Sequence, residues 1–257
     1  MQKKINKIIK FKNKKKIVCL TAYSKPISKI LDKYCDIILV GDSVATALYG
    51  MKNTKKIDLK TMLNHAISVK KSIKKSMLVF DMPYNTYYSE NSAKQNIKKI
   101  IKYTKCDAVK IESNGKNYNL IKKIVKSGTP VMGHIGFTPQ FKQKFKVQGL
   151  KIDEEKKLLN EASKIQEAGA FSIVLECIST KLAHKITKSL KIPTIGIGSS
   201  NLCDGQILVT DDLLGLSGFY PKFVKKYVNL QKIIDKAVKK FKKDVQEKKF
   251  PKKINSY

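Results

Sequence analysis

Eight short apolar runs, each closing on polar or small residues, set the tightest limit on what this chain can fold into. They are KIVCLTA (16–22), CDIILVGD (35–42), SMLVFDMP (76–83), AVKIES (108–113), PVMGHIG (130–136), SIVLEC (172–177), PTIGIGS (193–199) and QILVTDDL (206–213). Their continuous apolar character is that of strands buried on both faces, as parallel sheets require. Longer amphipathic stretches lie between several of them. Residues 152–169 carry apolar side chains at three- and four-residue spacing, acids in the first turn and a closing glycine, which predicts a helix. Residues 179–191 open on Ser179 in N-cap position and are followed by Pro193. Residues 230–245 place Leu230, Ile233, Ile234, Ala237, Val238, Phe241 and Val245 on one face, a stripe suited to packing on a barrel or a neighbouring subunit rather than to a membrane.

Buried strands alternating with helices predict an α/β fold, a (β/α)₈ TIM-type barrel. A doubly wound open sheet would announce itself by a glycine-rich turn after the first strand, and Ala22-Tyr23-Ser24 stands there instead. The length of 257 residues suits one such barrel. We therefore expect a single domain over 1–257, with a basic N-terminal extension at about 1–15 and a C-terminal helix at about 228–247. The absence of a long apolar run or an apolar signal segment predicts a soluble, cytoplasmic protein.

Charge is the most conspicuous compositional feature. Lysine and arginine total 53 against 20 acids, a formal charge of +33, and every one of those cations is lysine. A protein built to grip nucleic acid is expected to use arginine, whose planar fork reads phosphate and guanine bidentately. Diffuse lysine reads as whole-chain compositional bias, so no specific nucleic-acid partner is expected. Five scattered cysteines (Cys19, Cys35, Cys106, Cys177, Cys203) form no CxxC pair, which argues against a disulfide framework or zinc site.

Parallel barrels place their active sites at the C-terminal ends of the strands. The runs close on Asp42-Ser43, on Asp81, on Lys110 and Glu112, near His134, on Glu176, and on Gly196 and Gly198. Acids are scarce, yet four of them follow strand-like runs. Carboxylates in such settings are costly unless paired or bound to metal, and hard oxygen ligands converging on one rim suit Mg²⁺. Each residue also has a plainer reading. Asp42 or Asp81 could cap the next helix. Lys110 and Glu112, on one strand face, could be a simple ion pair. His134 could be a satisfied core histidine, and the glycines could serve only packing. Glu176, after an apolar run, is the hardest to leave without a site role.

At these residues the chain strongly resembles the ketopantoate hydroxymethyltransferase family. The matching stretches are LTAY (20–23), LVGDS (39–43), DMPY (81–84), VKIE (109–112), GHIGFTPQ (133–140), KVQG (146–149), EAGAFSIVLEC (167–177), IPTIGIGSS (192–200), DGQILV (204–209) and PKFVKKY (221–227). They run in family order through nearly the whole chain. The resemblance implies a TIM-type barrel in a homo-oligomer, a decamer. It implies a Mg²⁺ site on Asp42 and Asp81, completed by Glu112 directly or through water. It carries substrate contacts onto Asp42, Ser43, Asp81 and Lys110 and the general base onto Glu176, with His134 and Gly198 lining the site. The implied reaction adds a hydroxymethyl group from 5,10-methylenetetrahydrofolate to the keto acid 3-methyl-2-oxobutanoate.

Two stretches depart from the family pattern. FKQKF (141–145) is short and glycine-free where the family has a glycine-containing insert, with Leu150 in place of an arginine. GIGSS carries Ser199-Ser200 where the family shows Ala-Gly. The nearest rival is another Mg²⁺ keto-acid barrel, of the phosphoenolpyruvate mutase and isocitrate lyase type. That type presents a second acid soon after the third-strand aspartate, whereas Asp81 is followed here by Met82-Pro83-Tyr84.

Overall fold

The computed structural model describes residues 2–142, 144–218 and 220–257. Eight parallel strands close into one barrel in chain order, the last pairing with the first. They are β1 (Ile17–Thr21), β2 (Ile37–Val40), β3 (Met77–Asp81), β4 (Ala108–Glu112), β5 (Val131–Gly136), β6 (Ser172–Glu176), β7 (Thr194–Ile197) and β8 (Gly205–Leu208). All eight apolar runs of the sequence supply one strand each, and the (β/α)₈ barrel is the observed fold. The helices are α1 (Gln2–Ile9), α2 (Lys25–Leu31), α3 (Val44–Ala47), α4 (Leu59–Lys70), α5 (Glu90–Thr104), α6 (Tyr118–Lys126), α7 (Ile152–Glu167), α8 (Thr180–Ser189), α9 (Thr210–Leu214) and α10 (Leu230–Gln246). The eighth run overreaches its strand, because its Thr210-Asp211-Asp212 begins α9.

The single domain expected over 1–257 is seen as two compact units, Met1–Val209 with the whole barrel and Thr210–Tyr257. In the second unit α10 buries none of its residues, and Ile233, Ile234, Val238 and Phe241 are exposed. Among the described residues no helix is long and apolar enough to cross a membrane.

Strand alternation sorts the core into two layers. Ile38, Val40, Leu78 and Phe80 point outward into the layer between strands and helices. Ile37, Leu39, Met77, Val79, Ala108, Met132 and Val174 point inward and fill the barrel, with Ile5 and Ile8 of α1 packed into the same cluster. The inward row continues by twos to Asp81 on β3, Lys110 and Glu112 on β4, His134 on β5 and Glu176 on β6. One periodicity therefore packs apolar side chains low in the barrel and delivers polar ones to its C-terminal mouth.

The opposite end explains part of the lysine excess. The N-terminal stretch contributes Lys4, which pairs with Asp107 at 3.1 Å, Lys12 with Asp204 at 2.8 Å, and Lys15 with Asp36 at 3.3 Å. Each of these aspartates also accepts backbone N–H groups at a strand entry, Asp107 from Leu78, Asp204 from Thr194 and Asp36 from Val18. Asp204 is buried, and burial alone raises its pKa. Lys12 and the N–H groups of Thr194 and Asn13 outweigh that and hold it below the ordinary range.

Removing one partner of a buried ion pair leaves the other uncompensated. Asp204→Ala is expected to destabilise the barrel by about 3–5 kcal/mol. Urea denaturation followed by circular dichroism checks this, and a loss below about 1 kcal/mol, typical of exposed pairs, would contradict it.

Candidate active site

Strand register brings the predicted residues together as cross-strand neighbours. Asp81 stands beside Lys110, Glu112 beside His134, and Gly136 beside Glu176. Asp42 lies two residues past β2, and its backbone N–H donates to Asp81 Oδ2 at 3.1 Å. The Lys110 ammonium sits 2.7 Å from Asp81 Oδ1 and 3.8 Å from Glu112 Oε1. Lys110 is thus primarily a partner of Asp81, across strands, rather than the simple Lys110–Glu112 pair that one strand face suggests. Asp42, Asp81, Lys110, Glu112 and His134 are all buried, whereas Glu176 keeps 13% of its side chain exposed at the mouth.

His134 joins the two sides of the site. Its Nδ1 is 3.2 Å from Lys110 Nζ and 3.5 Å from Glu112 Oε1, and its Nε2 is 3.1 Å from Glu176 Oε2. An ammonium only donates, so Nδ1 is the acceptor and the proton of the neutral ring lies on Nε2, facing Glu176. Burial, then the Lys110 charge, lower the His134 pKa against the opposing pull of Glu176, which keeps the ring neutral near pH 7.

The carboxylates are displaced in the other direction. Burial raises Asp42, Asp81 and Glu176, and pushes Glu112 up to about 7 against the pull of Lys110. For Lys110 itself burial favours the neutral form, but Asp81, Glu112 and Asp42 outweigh it and hold the ammonium charged. Asp81 Oδ1 and Glu112 Oε1 are buried without a well-aligned hydrogen-bond donor, since the short Lys110–Asp81 contact is an ion pair by distance only. Among the described residues no three His, Cys, Asp or Glu side chains form a ready-made metal-ligand group. Lys110 stands among the acids instead.

The remaining predicted residues sit at the same end. Ser43 stands immediately before α3, and its hydroxyl bonds Tyr23 Oη at 2.7 Å. The N-cap of α3 is therefore Ser43 rather than Asp42, and Asp81 caps no helix. Gly198 follows β7 with a φ of +58°, in the left-handed region that favours glycine. Gly136, at φ +98°, packs so closely that a Cβ there would lie 2.1 Å from the Glu176 carbonyl oxygen. It is spaced for backbone contact beside Glu176.

One departure from the family pattern is tied into the fold. Ser199 Oγ donates to Leu175 O at 2.6 Å and accepts from Ile178 N, tying β7 to the chain around Glu176. In 141–145 the stretch around Gln143 lies partly outside the described residues. Lys142 Nζ donates to Gly136 O and Gln148 Oε1 at 2.6 and 2.7 Å, folding the short loop onto the end of β5.

Sequence reasoning gave no role to Gln140, the last residue of GHIGFTPQ. It is fully buried. Its backbone N–H donates to Glu112 Oε2 at 3.0 Å, and its side-chain Nε2 donates to Asp42 Oδ2 at 2.8 Å and Met82 O at 3.0 Å. Its Oε1 accepts from the Tyr87 hydroxyl. A glutamine after a proline reads as a loop residue, and only the closed barrel brings it between β2 and β4. Beside it opens a pocket of about 370 Å³ lined by Tyr84, Tyr87, Asn114, Asn117 and Phe141, among others.

Comparison with known sequences settles the family, because the sequence model of ketopantoate hydroxymethyltransferase matches residues 2–253. The chain belongs to the ketopantoate hydroxymethyltransferase family. Relatives in this hydroxymethyltransferase family include the 3-methyl-2-oxobutanoate hydroxymethyltransferase of Pelagibacter ubique (strain HTCC1062), 52% identical over 257 residues and covering 100% of both chains. The enzyme of the same name from Thermosipho africanus (strain TCF52B) is 45% identical, covering 98% of this chain and 97% of its own. Solved structures with the same barrel are more distant. A phosphoenolpyruvate phosphomutase from Streptomyces platensis subsp. rosaceus superposes with a TM-score of 0.63 at 11% identity, covering 95% of this chain and 87% of its own. A phosphonopyruvate hydrolase complex with oxalate and Mg²⁺ gives 0.61 at 13% identity, covering 98% and 93%. The rival keto-acid barrels thus share the hydroxymethyltransferase family's fold, and at such identity the likeness concerns the fold alone.

The raised Glu112 pKa has a consequence for stability. Unfolded, this group gives up its proton near 4.5, whereas the folded chain holds it to about 7. The folded state binds more protons inside that window, so stability falls as pH rises through it and levels off above. In EDTA the thermal midpoint is expected to drop between about pH 5 and pH 7, and Glu112→Gln should flatten the drop. Parallel curves for the two proteins in thermal melts would contradict the assignment.

Proposed function

We propose that this chain transfers a hydroxymethyl group from 5,10-methylenetetrahydrofolate to 3-methyl-2-oxobutanoate, giving ketopantoate, the precursor of pantothenate and coenzyme A. One observation carries the reading of the site. A buried cluster of three carboxylates and one lysine at the ends of β2–β4 faces, across His134, a largely buried carboxylate at the end of β6.

The cluster fits a divalent cation. Asp42, Asp81 and Glu112, fully ionised, carry three negative charges against the single positive charge of Lys110, leaving a deficit of two. Asp81 Oδ1 and Glu112 Oε1 lack aligned donors. Mg²⁺ takes one or two carboxylates plus water and substrate oxygens rather than a closed protein cage. Asp42 and Asp81 are the residues that would hold it, with Glu112 direct or through water. When bound, the ion supplies Lewis-acid polarisation of a keto oxygen.

The protein groups divide the remaining work. Lys110, held charged by Asp81, balances the keto acid's carboxylate, and Ser43 offers a hydroxyl beside it. Glu176 removes the proton from the branched carbon. Burial has already raised its affinity for that proton, as a general base near neutral pH requires. His134 Nε2 stands 3.1 Å from Glu176 Oε2. Water cleaves the donor's methylene bridge to formaldehyde and tetrahydrofolate, the enolate carbon attacks the formaldehyde carbon, and the resulting alkoxide takes up a proton to become the hydroxymethyl group. The aromatic side chains of Tyr84 and Phe141 line the adjacent pocket and offer apolar contact to a pterin ring. The exposed apolar stripe of α10 supports the homo-oligomer, a decamer, that belongs to the same reading.

The test is an assay with 3-methyl-2-oxobutanoate, 5,10-methylenetetrahydrofolate and Mg²⁺, following ketopantoate by mass spectrometry with an EDTA control. Product that disappears with EDTA is expected, and no product from folded protein overturns the proposal. Glu176→Gln should still bind the keto acid while turnover falls by roughly 100-fold or more. Near-normal turnover would remove Glu176 from the role of base.

A further inference from the structure

Gln140 occupies an unusual place for a neutral side chain. It lies between Asp42 and Glu112, two buried carboxylates that repel each other, and gives one N–H to each. The backbone N–H serves Glu112 and the side-chain amide serves Asp42. The amide orientation follows from chemistry alone. Met82 O and an ionised Asp42 can only accept, so both amide hydrogens must face them, and the amide oxygen must face Tyr87. The Tyr87 hydroxyl then satisfies the last acceptor. Rotating the amide by half a turn would set an oxygen against Asp42 and an NH₂ against Tyr87. Asp42 and Met82 O, which only accept, penalise this flip, and the phenol holds the amide oxygen in the orientation they impose. Tyr87 is only 5% exposed and sits on the loop between β3 and α5, so the brace joins the end of β4 to the chain segments after β2, β3 and β5.

We propose that Gln140, with its amide oriented by Met82 O and held by Tyr87, is a positioning residue that sets the spacing and direction of Asp42 and Glu112 toward a divalent cation. The inference rests on the reading of Asp42, Asp81 and Glu112 as the metal-holding group. Partners of this kind, which hold ligands rather than the metal, typically change metal affinity by roughly 10- to 100-fold when removed. Tyr87 bonds the amide and the backbone at Glu112 rather than a metal-holding carboxylate, so its loss is smaller, roughly 2- to 10-fold, as for one neutral hydrogen bond.

The experiment titrates Mn²⁺ into the folded protein without substrate and counts free ion by electron paramagnetic resonance. Wild type, Asp42→Asn, Gln140→Met, Tyr87→Phe and the double variant Gln140→Met/Tyr87→Phe are compared, with circular dichroism and melting curves as fold controls. Gln140→Met is expected to raise the Mn²⁺ Kd by roughly 10- to 100-fold. Tyr87→Phe should raise it less, and the double variant should match Gln140→Met alone, because both changes act on one amide. Tyr87→Phe removes a single oxygen and keeps the test decisive if the methionine variant does not fold. Unchanged Kd values in folded variants, or single losses that multiply in the double variant, overturn the proposal while leaving the metal site standing. A wild type that binds no Mn²⁺, or binds it equally well as Asp42→Asn, overturns the metal reading and this inference together.

Discussion

The mouth of the barrel is organised around one ion pair, Lys110 with Asp81, held at 2.7 Å in a buried setting. Burying three carboxylates side by side is untenable without compensation, because each loses its hydration and repels the others. Lys110 answers one of the three charges and leaves the rest to hydrogen bonds from the Asp42 backbone and from Gln140. The site is therefore built short of positive charge. The folded chain tolerates this deficit with carboxylate pKa values pushed upward.

The two ends of the barrel use the same scarce acids to opposite effect. At the strand entries Asp36, Asp107 and Asp204 each accept backbone N–H groups and pair with a lysine of the N-terminal stretch. Those carboxylates are satisfied. At the strand exits Asp81 and Glu112 each retain an oxygen with no aligned donor. Stability is concentrated at one end and unsatisfied chemistry at the other, the division expected of a parallel barrel whose sites lie at its C-terminal face. His134 carries this asymmetry across the mouth. Its Nδ1 faces the ammonium of Lys110, which places its proton on the side of Glu176.

Much of this was legible in the chain. The strand positions follow from the apolar runs, and the helices 152–169, 179–191 and 230–245 lie within a few residues of α7, α8 and α10. Alternation along a strand also places Lys110 and Glu112 on one face. Where the reading stopped short, the missing information was cross-strand. Lys110 prefers Asp81 because β3 and β4 bring the two residues into register, and no spacing along the chain reports this. Gln140 was invisible as a site residue for a similar reason. Its partners Asp42 and Tyr87 lie 98 and 53 residues away.

By itself the sequence determined which segments would be strands, which side chains would face inward, and that acids would stand at strand exits. These are local properties, dictated by side-chain periodicity and by the cost of exposing apolar surface. Only the tertiary structure decided which polar groups meet, in what order and at what distance. That depends on register and barrel closure, where backbone hydrogen bonds between strands, not neighbours in the chain, set the geometry. The charge balance of the mouth, the tautomer of His134 and the brace at Gln140 all belong to that second category.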